Sequence, residues 1–212
     1  MKISAVVPAY NEADRIEAVL APLKAVDAVD DIVVVDDGST DGTAHVARTM
    51  GVDVVRLATN RGKAAALDRG VQSARHATLL FLDADLVGLR AEQVKQLVKT
   101  YLDGSVDMVV GVFKNGRLNT DLSQTFAPYL SGQRVLSKAQ WQRIREQVSE
   151  MDFGVEIALK KVALKEGWRE ARVELDGVTH VMKEEKRGLG KGLKDRFKMY
   201  GDIVRSAFTK VG

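Results

Sequence analysis

The residues best suited to do chemistry are Asp83 and Asp85 in Asp83-Ala84-Asp85, directly after the apolar run Ala77-Thr78-Leu79-Leu80-Phe81-Leu82. Such a run reads as a buried strand, so the pair of carboxylates is delivered to a strand's end, where open α/β sheets bind their ligands. Two earlier segments end in the same way. Ile3 to Val7 runs into Pro8-Ala9-Tyr10-Asn11-Glu12, and Ile32 to Val35 runs into Asp36-Asp37-Gly38-Ser39-Thr40-Asp41. Three strands with polar or acidic ends imply one shared edge. Carboxylates gathered there need a cation or hydrogen-bond donors, and a divalent metal with a phosphate-bearing nucleotide supplies that need.

The elements that position these residues alternate along the chain. Short β-rich runs at about 2–7, 32–35, 53–57, 78–82 and 107–113 are separated by helical spacing, as in Ile16, Val19, Leu20 and Leu23. This pattern predicts an α/β fold with a Rossmann-like, mostly parallel sheet and helices on both faces. Asp41 reads as the N-cap of a helix from Gly42 to Met50 that stops at Gly51, and further helices are expected over Lys63–Arg75 and Arg90–Leu102. Residues 114–136 mix Asn, Gly, Thr, Ser and Pro, which predicts a long loop partly covering a cleft. Helices are expected again at 137–148 and 154–166, a strand at 169–175, and a basic helical tail over 189–209. There is no internal repeat.

Composition narrows the class. With 212 residues and 45% hydrophobic content the chain can bury one substantial core. The absence of cysteine excludes disulfide scaffolds, zinc-thiolate sites and thiol nucleophiles. No signal-like N-terminus and no run of about 18 apolar residues is present, so a cytoplasmic protein is expected. A net charge of +3 is too small to argue for nucleic acid, although basic residues outnumber acidic ones from Lys183 to Lys198.

Taken in order, Pro8-Ala9-Tyr10-Asn11-Glu12, Asp36 to Thr43, Asn60-Arg61-Gly62-Lys63 and Asp83-Ala84-Asp85 resemble the motifs of family-2-like glycosyltransferases with the GT-A fold. The resemblance implies a single GT-A domain over 1–212: a nucleotide-sugar-binding half (1–115), an acceptor half (116–188) and the basic tail. It implies a nucleotide-diphosphate sugar donor, with UDP or GDP as the nucleotide. Pro8, Ala9, Tyr10, Glu12, Asp37, Gly38, Gly62, Lys63, Asp83 and Ala84 would lie around it, and Asp85 would hold Mg²⁺ or Mn²⁺ against the diphosphate. Asp37 can accept an N–H of uracil or guanine, or merely cap its turn. Lys63 can face the diphosphate, or be a solvated lysine at a helix start.

Phe153-Gly154-Val155-Glu156 with the downstream His180 is similar to the acceptor and metal region of glycosyl-phosphoglycerate synthases. Ser131-Gly132-Gln133-Arg134 is similar to that group's acceptor loop and to a loop of polyprenyl-phosphate glycosyltransferases. These resemblances imply His180 as a further metal ligand and Gly132, Arg134 and Glu156 as acceptor-binding residues. Catalytic roles fall to Asp85, Lys63 and Glu156, with Asp152 as a weaker candidate base. Glu156 can otherwise be an acid favoured at a helix N-terminus, and Arg134 a structural ion-pair former. The tail, with Leu193, Phe197, Ile203, Val204 and Phe208 among lysines and arginines, suits a peripheral membrane contact, or packing on the sheet or on a second subunit as a homodimer. The expected activity is metal-dependent hexosyl transfer to an anionic acceptor. A nucleotidyltransferase making sugar nucleotides is the alternative, disfavoured because no glycine-rich loop follows the first strand; a non-catalytic nucleotide-sugar-binding protein is another.

Overall fold

The computed structural model describes residues 1–114, 131–148 and 155–180. These belong to the first of the two units into which the chain divides, Met1–His180 and Val181–Gly212. Asp152 and the basic tail lie outside the described residues.

A central sheet is built from β1 (Ile3–Ala9), β2 (Val29–Asp36), β3 (Asp53–Arg56), β4 (Thr78–Phe81), β6 (Met108–Phe113), β7 (Arg134–Ser137) and β8 (Glu170–Leu175). Their order is β3-β2-β1-β4-β7-β6-β8, and every neighbouring pair is parallel except those made by β7 with β4 and β6. Six helices connect the described strands: α1 (Ile16–Lys24), α2 (Thr43–Thr49), α3 (Lys63–Ser73), α4 (Ala91–Leu102), α5 (Lys138–Val148) and α6 (Val155–Glu166). This is the α/β arrangement predicted from the alternation of patterns. No helix among the described residues is long and apolar enough to cross a membrane.

Apolar side chains on both faces make these strands read as continuous hydrophobic runs. Ala5, Val7, Val34, Leu80 and Val109 point into one core, shared with Ile16, Val19, Leu20 and Leu23 of α1 and Val94, Leu97 and Val98 of α4. Their neighbours Val6, Leu79, Phe81, Met108 and Val110 point into a second core, with Leu67 and Val71 of α3, Trp141 and Ile144 of α5, and Ala158 and Val162 of α6. The alternation follows directly from the two-residue period of a strand. Phe81 and Trp141 meet edge to face at 5.1 Å, the geometry favoured by ring quadrupoles.

Three expectations are corrected, and one element is added. The loop predicted over 114–136 is not continuous, because Arg134–Ser137 forms β7. Four residues are too few to display alternation, and both of β7's partners are distant in sequence. Next, β2 begins at Val29 rather than 32. Asp31 interrupts the apolar pattern yet is buried, accepting from the Arg75 N–H at 2.7 Å and from its guanidinium at 3.1 Å. At α2 the N-cap is Gly42 rather than Asp41, although the Asp41 carboxylate still accepts the Thr43 N–H at 2.9 Å. Finally, β5 (Leu86–Val87) pairs antiparallel with β9 (Thr179–His180), a two-residue ribbon too short to predict.

Candidate active site

The sheet opens where its strand order reverses. β1 stays paired with β2 as far as Ala9 opposite Asp36, but its ladder with β4 covers only Ser4 to Val6. The last bond on the β4 side runs from the Leu82 N–H to the Val6 carbonyl at 3.3 Å. Two residues further, Pro8 turns its nitrogen to that same side, beyond the ladder's end, so the missing N–H breaks no pairing. A crevice at such a reversal, beside the carboxyl ends of the strands, is the usual ligand site of an open α/β sheet.

The loops after β1 and β2 are tied into one wall. The Asn11 N–H donates to Ser39 Oγ at 2.9 Å, the Thr40 N–H to Asn11 Oδ1 at 2.9 Å, and the Glu12 N–H to Thr43 Oγ1 at 2.8 Å. Asn11 adopts a positive φ of 56°, which asparagine tolerates better than most residues. Glu12 is buried and paired with Arg15 at 3.0 Å, whereas Tyr10 stands 44% exposed at the end of β1. Buried Asp36 accepts from the Ser39 N–H at 2.8 Å and lies 3.2 Å from the Arg56 guanidinium.

Asp37 has a different immediate task from the nucleobase contact expected of it. Its two oxygens accept the backbone N–H groups of Arg61 and Gly62, each at 2.8 Å, and its side chain is buried. The carboxylate therefore clamps the segment that launches α3. Gly38 is needed beside it: at φ +73° a Cβ would lie 2.6 Å from the Thr59 carbonyl carbon. With these contacts the strand-end acids set the position of Lys63.

Lys63, the first residue of α3, places its ammonium 2.5 Å from Asp83 Oδ1 and 2.7 Å from Glu156 Oε1. Burial alone would lower its pKa, but the two carboxylates outweigh that and hold it above the ordinary lysine range. Three residues distant in sequence, from α3, the end of β4 and the first turn of α6, thus meet in one ionic cluster. The Gly132 backbone presses against it: a Cβ there would be 2.5 Å from both Asp83 Oδ2 and Lys63 Nζ. Gln133 donates from Nε2 to Asp83 Oδ2 at 2.9 Å. Sequence reasoning gave no role to Gln133, although a polar amide next to the buried Val135-Leu136 pair was a signal that it must find partners.

Arg134 is brought near this cluster from below. It is 1% exposed and donates from Nε to the Ser131 carbonyl at 3.0 Å, so its guanidinium braces the 131–132 turn. Burial lowers its pKa, opposed by the negative charges of Glu170 and Glu156.

Asp85 is half-buried in the turn between β4 and β5. The β5–β9 register sets Leu86, its chain neighbour, opposite His180, so the backbone brings the two proposed metal ligands onto adjacent strands. Among the described residues no three His, Cys, Asp or Glu side chains gather as a complete metal cage. The donor set nevertheless fits a hard divalent cation, which needs only one or two protein carboxylates when a substrate diphosphate supplies further oxygens. Asp83 and Glu156 flank the Lys63 ammonium, and Asp85 follows in the turn after β4.

Comparison with known proteins agrees with this geometry. Crystal structures of glucosyl-3-phosphoglycerate synthase from Mycobacterium tuberculosis share the fold. The complex with Mn²⁺ and UDP-glucose has a TM-score of 0.73 at 27% identity, covering 97% of this chain and 78% of that one. The complex with Mn²⁺, UDP and phosphoglyceric acid has a TM-score of 0.71 at 26% identity, covering 100% of this chain and 78% of that one. A 4,4'-diaponeurosporenoate glycosyltransferase of Staphylococcus aureus is 38% identical over 104 residues, 47% of this chain but only 28% of that protein's length. The glycosyl transferase family 2 model matches residues 4–168, so the chain belongs to that family and its sheet is a GT-A glycosyltransferase fold.

Proposed function

We propose that the chain transfers a hexosyl group from a nucleotide-diphosphate sugar to an acceptor carrying a phosphate or carboxylate. The observation that carries this reading is the meeting of Lys63 with Asp83 and Glu156 beside the β1–β4 opening, where a family 2 domain would receive its donor. UDP is the preferred nucleotide, because the related synthase is complexed with UDP and UDP-glucose. The anionic acceptor is supported by the names of the relatives' substrates, phosphoglyceric acid and diaponeurosporenoate.

In this reading Asp85 and His180 hold a divalent cation, Mg²⁺ or Mn²⁺, whose chemistry when bound is to neutralise the diphosphate's charge. Asp83 orients the donor's ribose or a metal-bound water. Tyr10, with its ring exposed at the end of β1, offers a face to the base, and the Asp37 clamp holds the Gly62–Lys63 turn against the donor. The reaction forms a bond from an acceptor oxygen to the anomeric carbon and breaks the anomeric bond to the diphosphate, which leaves as nucleoside diphosphate. Lys63 lies where its ammonium can meet the charge growing on that leaving group. Where the attacking oxygen belongs to an ionised phosphate or carboxylate no general base is needed and Glu156 acts by orienting the acceptor; where it is a hydroxyl, Glu156 takes its proton.

The test is incubation with UDP-glucose or GDP-mannose, Mn²⁺ and 3-phosphoglycerate or a polyprenyl phosphate, with the released nucleotide identified. Nucleoside diphosphate and a glycosylated acceptor, both lost in Asp85→Ala while the thermal melt persists, support the proposal. Pyrophosphate release from a nucleoside triphosphate would replace it with nucleotidyl transfer.

A further inference from the structure

We infer that Gln133 is a positioning residue for Asp83, acting on the donor through that carboxylate. The inference rests on the functional reading above. Gln133 is 0% exposed at the entrance to β7, which runs antiparallel to both of its neighbours, and its amide is turned to protein groups. A buried amide must have its hydrogen bonds satisfied, and the partners here are specific.

A carboxylate only accepts, so the amide nitrogen must be the end that faces Asp83, at 2.9 Å. This leaves the amide oxygen for the Ser131 hydroxyl at 2.8 Å. Ser131 Oγ also contacts the Gly111 carbonyl on β6 and receives the Gln133 N–H at 3.3 Å. The Arg134 guanidinium fixes the Ser131 carbonyl from beneath. A buried chain of contacts thus runs from β6 through Ser131 and Gln133 to one oxygen of Asp83, while Lys63 holds the other oxygen. Gln133 and Lys63 thus grip opposite oxygens of the carboxylate. The two bonds fix its plane, and a planar carboxylate held at both oxygens presents its remaining lone pairs in one direction.

This differs from ordinary core filling in a way that can be measured, because the effect must pass through Asp83. The experiment is a double-mutant cycle on the full chain, with the Kd for UDP in the presence of Mn²⁺, or for GDP if UDP does not bind, read by calorimetry. Gln133→Leu is expected to weaken the nucleotide by about tenfold in the wild-type background and by less than about twofold in Asp83→Asn. Equal losses in both backgrounds, or none in the first, overturn the positioning role. If Gln133→Leu does not fold, Gln133→Glu serves instead. It sets two carboxylates together, and combining it with Asp83→Asn re-forms an amide–carboxylate contact of opposite polarity, so the double variant should melt above Gln133→Glu alone. A double variant that melts no higher also overturns the assignment. Wild-type protein that binds neither nucleotide overturns the donor-binding reading and this role together, whereas wild-type binding with additive losses overturns this role alone.

Discussion

Replacing Gly132 by alanine should disable the site while sparing the fold. The added methyl would lie 2.5 Å from Asp83 Oδ2, 2.5 Å from Lys63 Nζ and 2.8 Å from Asp83 Oδ1, where ordinary contact begins at 3.4 Å. The neighbours must therefore retreat by about 0.9 Å, the difference between 3.4 and 2.5 Å. Both are ends of side chains and can rotate, and the backbone at Gly132 lies outside the positive-φ region, so alanine brings no torsional strain. Overpacking of this kind costs about 1–3 kcal/mol. In a chain of this length each kcal/mol lowers the Tm by roughly 2–4 °C, leaving a folded protein at room temperature. The site suffers more, since a displacement near 1 Å in a positioning group lowers turnover by roughly a hundredfold. Thermal melting and calorimetric titration with UDP and Mn²⁺ would separate the two effects. A Gly132→Ala protein that binds and turns over like wild type would refute the idea that this close approach sets Asp83 and Lys63.

Other perturbations discriminate between the roles of the strand-end residues. Gly38→Ala meets backbone atoms of Thr59 and Asn60 rather than side-chain ends, at a φ of +73°, so it should lose roughly 2–4 kcal/mol in denaturant unfolding. Asp37→Ala removes the acceptor for two N–H groups; amide exchange at Arg61 and Gly62 should quicken by roughly 10- to 100-fold while the β2 core amides keep their protection. Lys63→Met should abolish nucleotide binding, and its stability deficit should depend on pH in one direction. The folded-state pKa of Lys63 is raised, so its contribution is fully present below the unfolded lysine value, about 10.4, and is lost only as pH rises beyond it. The gap between wild type and Lys63→Met should thus stay flat from neutral pH to about 10 in urea melts; a gap that closes between pH 6 and 8 would contradict the assignment.

Much of the donor half was legible because its chemistry sits where local pattern changes. Ile3–Ala9 and Thr78–Phe81 are apolar runs that end abruptly in polar motifs, and the helix over Ile16–Lys24 carries its buried face at regular spacing. Asp31 shows how such reading fails. A charge in a strand suggests an end, yet here it is a buried acceptor satisfied by Arg75, which joins the structure from the start of β4's approach. Asp37 shows a different limit. Its residue type and place allow it to serve a ligand or a neighbouring backbone, and the structure adds the N–H groups of Arg61 and Gly62 as its partners.

The second half was less legible for a physical reason that Lys63 makes plain. Its partner Asp83 lies at the end of a strand that composition announces, but its other partner, Glu156, is brought in by α6, whose place depends on packing with α3 and α5 in the second core. Arg134 is the sharper instance: its type suits an anion binder or a structural ion-pair former, and its burial follows only once β7 is inserted between β4 and β6. That insertion also carries Gln133 to Asp83. One unpredicted strand of four residues therefore joins a segment read as part of a long loop to the Lys63 cluster, through Gln133 and Asp83.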